Sequence, residues 1–386
     1  MASGSSQGVL WRRRARLRVG AELLGPLGLV GIVALVGTQL STADQTDAIN
    51  ILVVATIVIG LYVFIGNSGV ISFGQISFVA VGAFAAGIYT TPVGTRHTTM
   101  PGLFGILATP KLTNVESLLL AAGLGAVFAL VVGLALMRLS GLAAGIATFA
   151  VLEITYNILA NWEKIGPGPT TLASVPVTTG IGQAALGCAC AVLIAFAHQR
   201  TRSCRLLRAS RADPLAARGI GVSIFRHRLV AFVISGAICG FAGALYVHEL
   251  GSITVTEVYL GLTFSTLTML VVGGSQSLWG ATLGGTLLGV LFSFLSNAEN
   301  GTTVFGISFT LPNGLNTIIF AALFVGALML APRGLARNRE FLAGTLRERV
   351  PAASSRVMSP VPPPEPVTRR VGATDSGSAT PAEPAH

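Results

Sequence analysis

The chain has 386 residues, of which 52% are hydrophobic and 10% charged, and its formal net charge is +10. A soluble protein of this length needs far more charge to cover its surface, so composition excludes an ordinary water-soluble domain. The basic excess does not indicate nucleic acid, because the arginines flank apolar segments instead of interleaving with aromatics on a polar face. The four cysteines, Cys188, Cys190, Cys204 and Cys239, form no C-x-x-C or His-spaced cluster, which argues against a zinc site or a disulfide framework.

Runs of about 17–20 apolar residues are long enough to cross a bilayer as helices. Such runs lie near 23–40, 48–66, 74–91, 116–137, 140–161, 179–198, 228–248, 259–274, 280–296 and 312–331. The first follows a basic stretch without a small-residue cleavage site and reads as a retained helix. The runs at 74–91 and 259–296 are short or broken by glycine. With the N-terminus inside and ten alternating crossings, 22 of the 25 Lys and Arg fall on the cytoplasmic side, as the positive-inside rule requires. The expectation is an all-α, polytopic membrane helix bundle with about ten transmembrane segments and both termini cytoplasmic. It divides into a basic cytoplasmic N-terminus (1–22), a transmembrane domain (23–336) and a Pro-, Ala- and Ser-rich tail (337–386) expected to be disordered.

Four segments carry more information. In Gly66–Thr90, glycines at 66, 69 and 74 make a poor helix beside membrane-depth segments, among the uncharged polar residues Ser68, Ser72, Gln75 and Ser77. Irregular backbone at that depth is tolerated only when buried in protein or lining a wet cavity. This segment is either a broken element near a polar path or a tight turn with glycine packing. In the helix near 140–161, Glu153 is followed by Tyr156, Asn157 and Asn161 at helical spacing, one polar stripe on an apolar helix. A carboxylate at such depth costs about 2.5–3.5 kcal/mol and should face the bundle interior or water. The stripe reads as a path lining or as an interhelical hydrogen-bonding seam. Pro167, Pro169 and Pro176 then impose a loop.

The third segment, Arg200–Phe232, is the longest and most basic internal loop. Asp213-Pro214 is a helix start, with Asp as N-cap and Pro at the first helical position, and Gly219 and Gly221 end the short helix. A short helix held at the cytoplasmic surface suits either lipid-facing topology control or docking in a cytoplasmic motor. In the fourth, Gly236/Gly240, Gly280/Gly284 and Gly285/Gly289 are spaced for close helix packing. His248 and Glu249, at the outer end of a helix, are expected to be solvated.

Together these segments resemble the LivM-type permeases of branched-chain amino acid ABC importers, over roughly residues 45–336. The likeness rests on Gly66, Gly69, Ser72, Gly74, Phe78, Gly82, Ala83 and Phe84, on the run from Arg138 to Ile154 that includes Glu153, on "AFVISGAICGFAGALYV" and "VVGGSQSLWGATLGG", and on the closing "PRGL". Two departures stand out. The loop "RADPLAARGIG" has Asp213, Pro214 and Ala216 where the family usually has an acidic residue and a second Ala, and "GPGPTT" replaces the usual Gly-Gly-Pro-Asn-Gly.

The resemblance implies a substrate pathway along Glu153, Tyr156, Asn157, Gln75 and Ser72, and ATPase coupling through Arg211, Asp213, Ala216, Ala217, Gly219 and Gly221. It also implies an inner-membrane complex with a homologous LivH-type permease, two ABC ATPase subunits and an extracytoplasmic substrate-binding protein. No G-x-x-x-x-G-K-[ST] run exists, so no cofactor is expected on this chain, and ATP and Mg would be handled by the partner ATPases. Urea, short amides and ribose-type sugars are alternative solutes. A proton-coupled transporter using Glu153 is a rival of a different class.

Overall fold

The computed structural model describes residues 4–105, 110–299, 302–304, 307–309, 312, 314–330 and 334–336. The expected tail at 337–386 lies outside the described residues. The described chain contains thirteen helices: α1 (Gly4–Gln39), α2 (Thr42–Ser68), α3 (Gln75–Thr90), α4 (Val93–Thr99), α5 (Asn114–Leu136), α6 (Leu142–Asn161), α7 (Ile181–Arg200), α8 (Arg202–Ala212), α9 (Pro214–Gly219), α10 (Ile224–Leu250), α11 (Leu260–Gly273), α12 (Leu278–Glu299) and α13 (Leu315–Leu330). Each of the ten apolar runs is a helix. The first helix begins at Gly4 and runs on through residue 22, so no break separates the basic stretch from the apolar one.

Among the described residues, seven helices are long and apolar enough to cross a membrane: α1, α2, α5, α6, α7, α10 and α12. α3 and α4 qualify only as a pair, bent by 116°. Pro92 supplies no N–H at the bend. The buried Arg96 ties the bend together, donating from Nε to Thr91 O (2.9 Å), from Nη2 to Tyr89 O (3.2 Å) and from Nη1 to Pro110 O (2.8 Å) in the following loop. α11, at 14 residues, is shorter than a full span. The all-helical expectation misses one small element, an antiparallel hairpin of β1 (Thr302–Val304) and β2 (Ile307–Phe309), in a stretch rich in β-branched residues.

α2 is apolar all round and buried all round, as a helix at the centre of a bundle must be. α10 packs on it, and α3 and α5 pack on α10. Glycine permits these approaches. A Cβ at Gly236 would lie 2.7 Å from Gly125 O, one at Gly125 would meet Gly240 Cα at 3.0 Å, and one at Gly285 would meet Ala55 Cα at 3.0 Å. Side chains there would hold the backbones apart, which removes the dispersion contacts that bind helices in lipid.

The connections gather at two ends. At one, Arg228 Nη1 donates to Leu139 O (3.0 Å), Arg211 reaches Gly66, and Leu335 N donates to Val272 O (2.8 Å). At the other, Leu172 and Ile253 form a β-bridge, Phe104 N donates to Lys164 O (3.1 Å), and Asn297 bonds Asp47 (2.6 Å). The first of these ends carries the arginines of the 200–228 loop.

Candidate functional site

The site begins at the arginine-rich end, with α8 and α9. Thr201 caps α8 by accepting from Cys204 N (3.2 Å). Asp213 caps α9, its Oδ1 accepting from Leu215 N (2.9 Å) and Ala216 N (3.0 Å), with Pro214 in the first turn. Gly221 takes φ +80° just beyond the helix, a conformation that costs glycine little. Ala217, another of the candidate coupling residues, is buried. The side chains that project are Leu215 (78% exposed) and Ile220 (80% exposed), flanking the candidate residues Ala216 and Gly219. The sequence reading passed over both. Both are large apolar residues within a strongly basic loop.

α8 is pinned to the end of α2. Arg208 donates from Nε to Asn67 Oδ1 (2.7 Å) and from Nη2 to Tyr62 Oη (2.9 Å). Cys204 Sγ donates to the same Asn67 oxygen (3.2 Å), and burial pushes its thiol pKa up. Arg211 Nη1 donates to Gly66 O (3.3 Å), and its side chain lies over Gly69, whose φ of +71° ends α2. Gly66, Arg208, Arg211 and Gln276 line a cavity of about 360 Å³ there.

The end of α2 leads directly into the turn at 69–74 and the start of α3. Ser72, Gln75 and Ser77 are buried, and Ser72 Oγ, both polar atoms of the Gln75 amide and Ser77 Oγ have no hydrogen-bond partner. Unpaired buried amides and hydroxyls are costly and invite a ligand, a water or a change of state. The turn rests on α6: Phe73 N donates to Thr148 Oγ1 (3.2 Å), and a Cβ at Gly74 would meet Thr148 O at 3.0 Å. The glycines therefore serve a tight turn and close packing, and the polar groups around them are left unsatisfied.

One and a half turns further along α6 stands Glu153. Asn157 donates to its Oε1 (2.9 Å), and the Tyr259 hydroxyl donates to its Oε2. Tyr156 stacks on Tyr259, ring centroids 4.1 Å apart and planes at 22°. Asn157 and Asn161 are exposed, and Asn161 donates to Asn157 O (2.9 Å). Three of the candidate pathway residues, Glu153, Tyr156 and Asn157, thus come together, with Tyr259 as a partner the sequence did not suggest. Gln75 and Ser72 sit at the other end of α6's contact with α3, linked through Thr148. The pair Glu153–Tyr259 is 106 residues apart, so no local pattern reveals it.

One expectation fails outright. His248 and Glu249 are not solvated; they are 0% and 7% exposed. The loop 171–180 folds back over the end of α10, where Thr178 N donates to His248 O (3.1 Å) and His248 Nε2 pairs with Ser117 Oγ (3.0 Å). Position at a helix end implied water, but the neighbouring loop excludes it.

Among known proteins, a family model described as "Branched-chain amino acid transport system / permease component" matches residues 48–331. The chain belongs to this family. It is therefore a multi-pass membrane protein of the ABC-transporter permease type. The autoinducer 2 import system permease protein LsrC of Enterobacter sp. (strain 638) is 28% identical over 223 residues, 56% of this chain and 63% of that protein. The high-affinity branched-chain amino acid transport system permease protein LivM of Escherichia coli (strain K12) is 26% identical over 264 residues, 60% of this chain and 58% of that protein. The nucleoside ABC transporter permease protein NupC of Lactococcus lactis subsp. cremoris (strain MG1363) is 27% identical over 299 residues, 70% of this chain and 88% of that protein. The chain spans less than two thirds of the length of the first two relatives. No solved structure matches the chain.

Proposed function

We propose that the chain is the translocation subunit of an ATP-driven importer for branched-chain amino acids or a closely related small solute, working beside a homologous permease, two ATPase subunits and an extracytoplasmic binding protein. The observation that carries this reading is an unbroken mechanical connection. It runs from the projecting Leu215 and Ile220 through α8 to Asn67 at the end of α2, through the 69–74 turn to Thr148, and along α6 to Glu153. A motor that grips α9 would pull on the helix that bears the polar stripe, which is what switching between two packings requires. The positive-inside rule supports ten crossings with the arginine-rich end in the cytoplasm of a bacterial inner membrane. The relatives' printed solutes differ, so the solute is inferred from the LivM likeness and the family description alone.

The test is a pair of substitutions, Leu215→Asp and Ile220→Asp. Both side chains are exposed, so the membrane domain should fold and purify normally. Co-purification with the ATPases is expected to fall at least ~10-fold, the loss of two apolar anchors at about 1 kcal/mol or more each. Retained co-purification with normal solute-stimulated hydrolysis would refute docking through α9. A cysteine at Leu215 labelled by an impermeant maleimide from outside intact cells would refute the orientation.

A further inference from the structure

The cavity of about 360 Å³ at the arginine-rich end lies between the end of α2 (Gly66), α8 (Arg208 and Arg211) and the turn that joins α11 to α12 (Gln276). Gly66 lets that turn approach α2, because a Cβ there would collide with Ser275 O. Arg208 is held from behind by Asn67 and Tyr62, both 0% exposed, which accept its Nε (2.7 Å) and Nη2 (2.9 Å) hydrogens. Arg211 Nη1 donates to the Gly66 carbonyl (3.3 Å).

All of these acceptors are neutral, so they fix the guanidinium groups without cancelling their charge. Among the described residues neither arginine makes an ion pair, and Arg208 Nη1 and Arg211 Nη2 donate to nothing. The acid nearest in sequence, Asp213, spends its Oδ1 on Leu215 N and Ala216 N. The C-terminal dipole of α2 offers only about half a unit of negative charge. Two guanidinium groups therefore leave more than one positive charge over, and that surplus lines a cavity.

We propose that this cavity binds a phosphate ester with a small hydroxylated body, the phosphate between Arg208 and Arg211 and the hydroxyls at Gln276. Guanidinium forks match phosphate oxygens, two parallel hydrogen bonds at a time. α12 begins two residues beyond Gln276, where Ser277 Oγ accepts from Gly280 N (2.8 Å), and a helix N-terminus favours a neighbouring anion. The Gln276 amide both donates and accepts, as hydroxyls require. Among the described residues the lining has no large apolar side chain, so an apolar body would find no partner. The volume lies at the low end of small-molecule sites, roughly 300–1,000 Å³. The head of an anionic lipid and a soluble glycerol phosphate share this chemistry, and basic pockets between membrane helices take such heads. An occupant would brace α8 against the turn before α12. Its bearing on ATPase coupling rests on the importer reading; the site itself does not.

The experiment has two arms, both on the full chain. Glycerol 3-phosphate is titrated calorimetrically into the chain in phosphatidylcholine nanodiscs, with glycerol as the control. Separately, native mass spectrometry reads how much phosphatidylglycerol the chain retains from mixed nanodiscs. At least one of the two ligands is expected to fill a single saturable site. Arg211→Gln and Gln276→Glu, at exposed positions where folding should be unaffected, should each weaken it at least ~10-fold, and Arg211→Lys should recover part of the loss. Glycerol 3-phosphate bound alone identifies a soluble ligand, and phosphatidylglycerol retained alone identifies a lipid. Neither ligand held, affinity unchanged in both variants, or glycerol bound as well as its phosphate would each overturn the proposal. So would binding that disappears once the ATPases are added, which would give the cavity to an acidic side chain of a partner. None of these outcomes alters the Leu215→Asp and Ile220→Asp result, so the site and the importer reading fail separately.

Discussion

α10 and α6 are both apolar helices of membrane-spanning length, yet 67% of the best window of α10 is buried and only 28% of that of α6. α10 is welded to α3 and α5 by backbones that touch across Gly82, Gly125, Gly236 and Gly240. α6 is held by a few specific contacts, chiefly Thr148 to the 69–74 turn and the Glu153–Tyr259 bond, and presents Leu142, Ile146 and Ile154 outward. The difference separates a helix fixed by backbone contact from one tied by a few side-chain hydrogen bonds. Glycine seams fix a helix because no side chain can yield there, whereas hydrogen bonds between side chains can be exchanged at small cost.

The largest effect that tests this division is expected at Gly240. Its substitution by leucine drives a side chain into the α5 backbone, where even a Cβ would lie 3.1 Å from Gly125 Cα. Overpacking of about 3 kcal/mol should abolish the monodisperse peak in size-exclusion chromatography. A well-folded Gly240→Leu variant would show that the seam yields. Next in size is Asn67→Ala, which removes the acceptor shared by Arg208 and Cys204. A loss of about 1.5–2 kcal/mol is expected in a thermal unfolding assay. Maleimide labelling of Cys204 should also accelerate, because burial now holds the thiol protonated and shielded. Unchanged labelling would mean that α8 does not depend on α2 for its position.

Smaller still is the tie between α6 and the start of α11. A double-mutant cycle with Glu153→Gln and Tyr259→Phe should give a coupling of about 1 kcal/mol, reduced from a buried charged bond because both groups meet solvent. Uptake should fall several-fold in each single variant. A coupling near zero would leave α6 unattached at that end. The smallest effect is Gly145→Ala on α6, where a Cβ meets nothing closer than Ile71 O at 3.7 Å. It should be tolerated, with a gain of at most about 1 kcal/mol from helix propensity. If it disrupts folding, the face of α6 toward the turn is as tightly sealed as α10.

Much of this architecture could be read in advance from particular residues. Asp213-Pro214 announced α9, and Gly221 its end, because capping and backbone conformation are decided within a few residues. Glu153, Tyr156 and Asn157 could be placed on one face from spacing alone. The partner of Glu153 could not, since Tyr259 arrives from a loop after α10. Nor could the sealing of His248 and Glu249, which depends on where the 171–180 loop lies.

By itself the sequence determined the apolar helices and the clustering of arginine in a few of the segments between them. Each follows from local chemistry: a bilayer leaves backbone groups no partner but their own helix, and basic residues resist crossing it. Only the tertiary structure decided which helices are clamped by glycine and which are loosely tied, how α9 connects to α6, and that His248 and Glu249 are sealed from solvent. Those outcomes turn on the depth and rotation of helices far apart in the chain, and a few ångströms of either separate a paired, buried group from a solvated one.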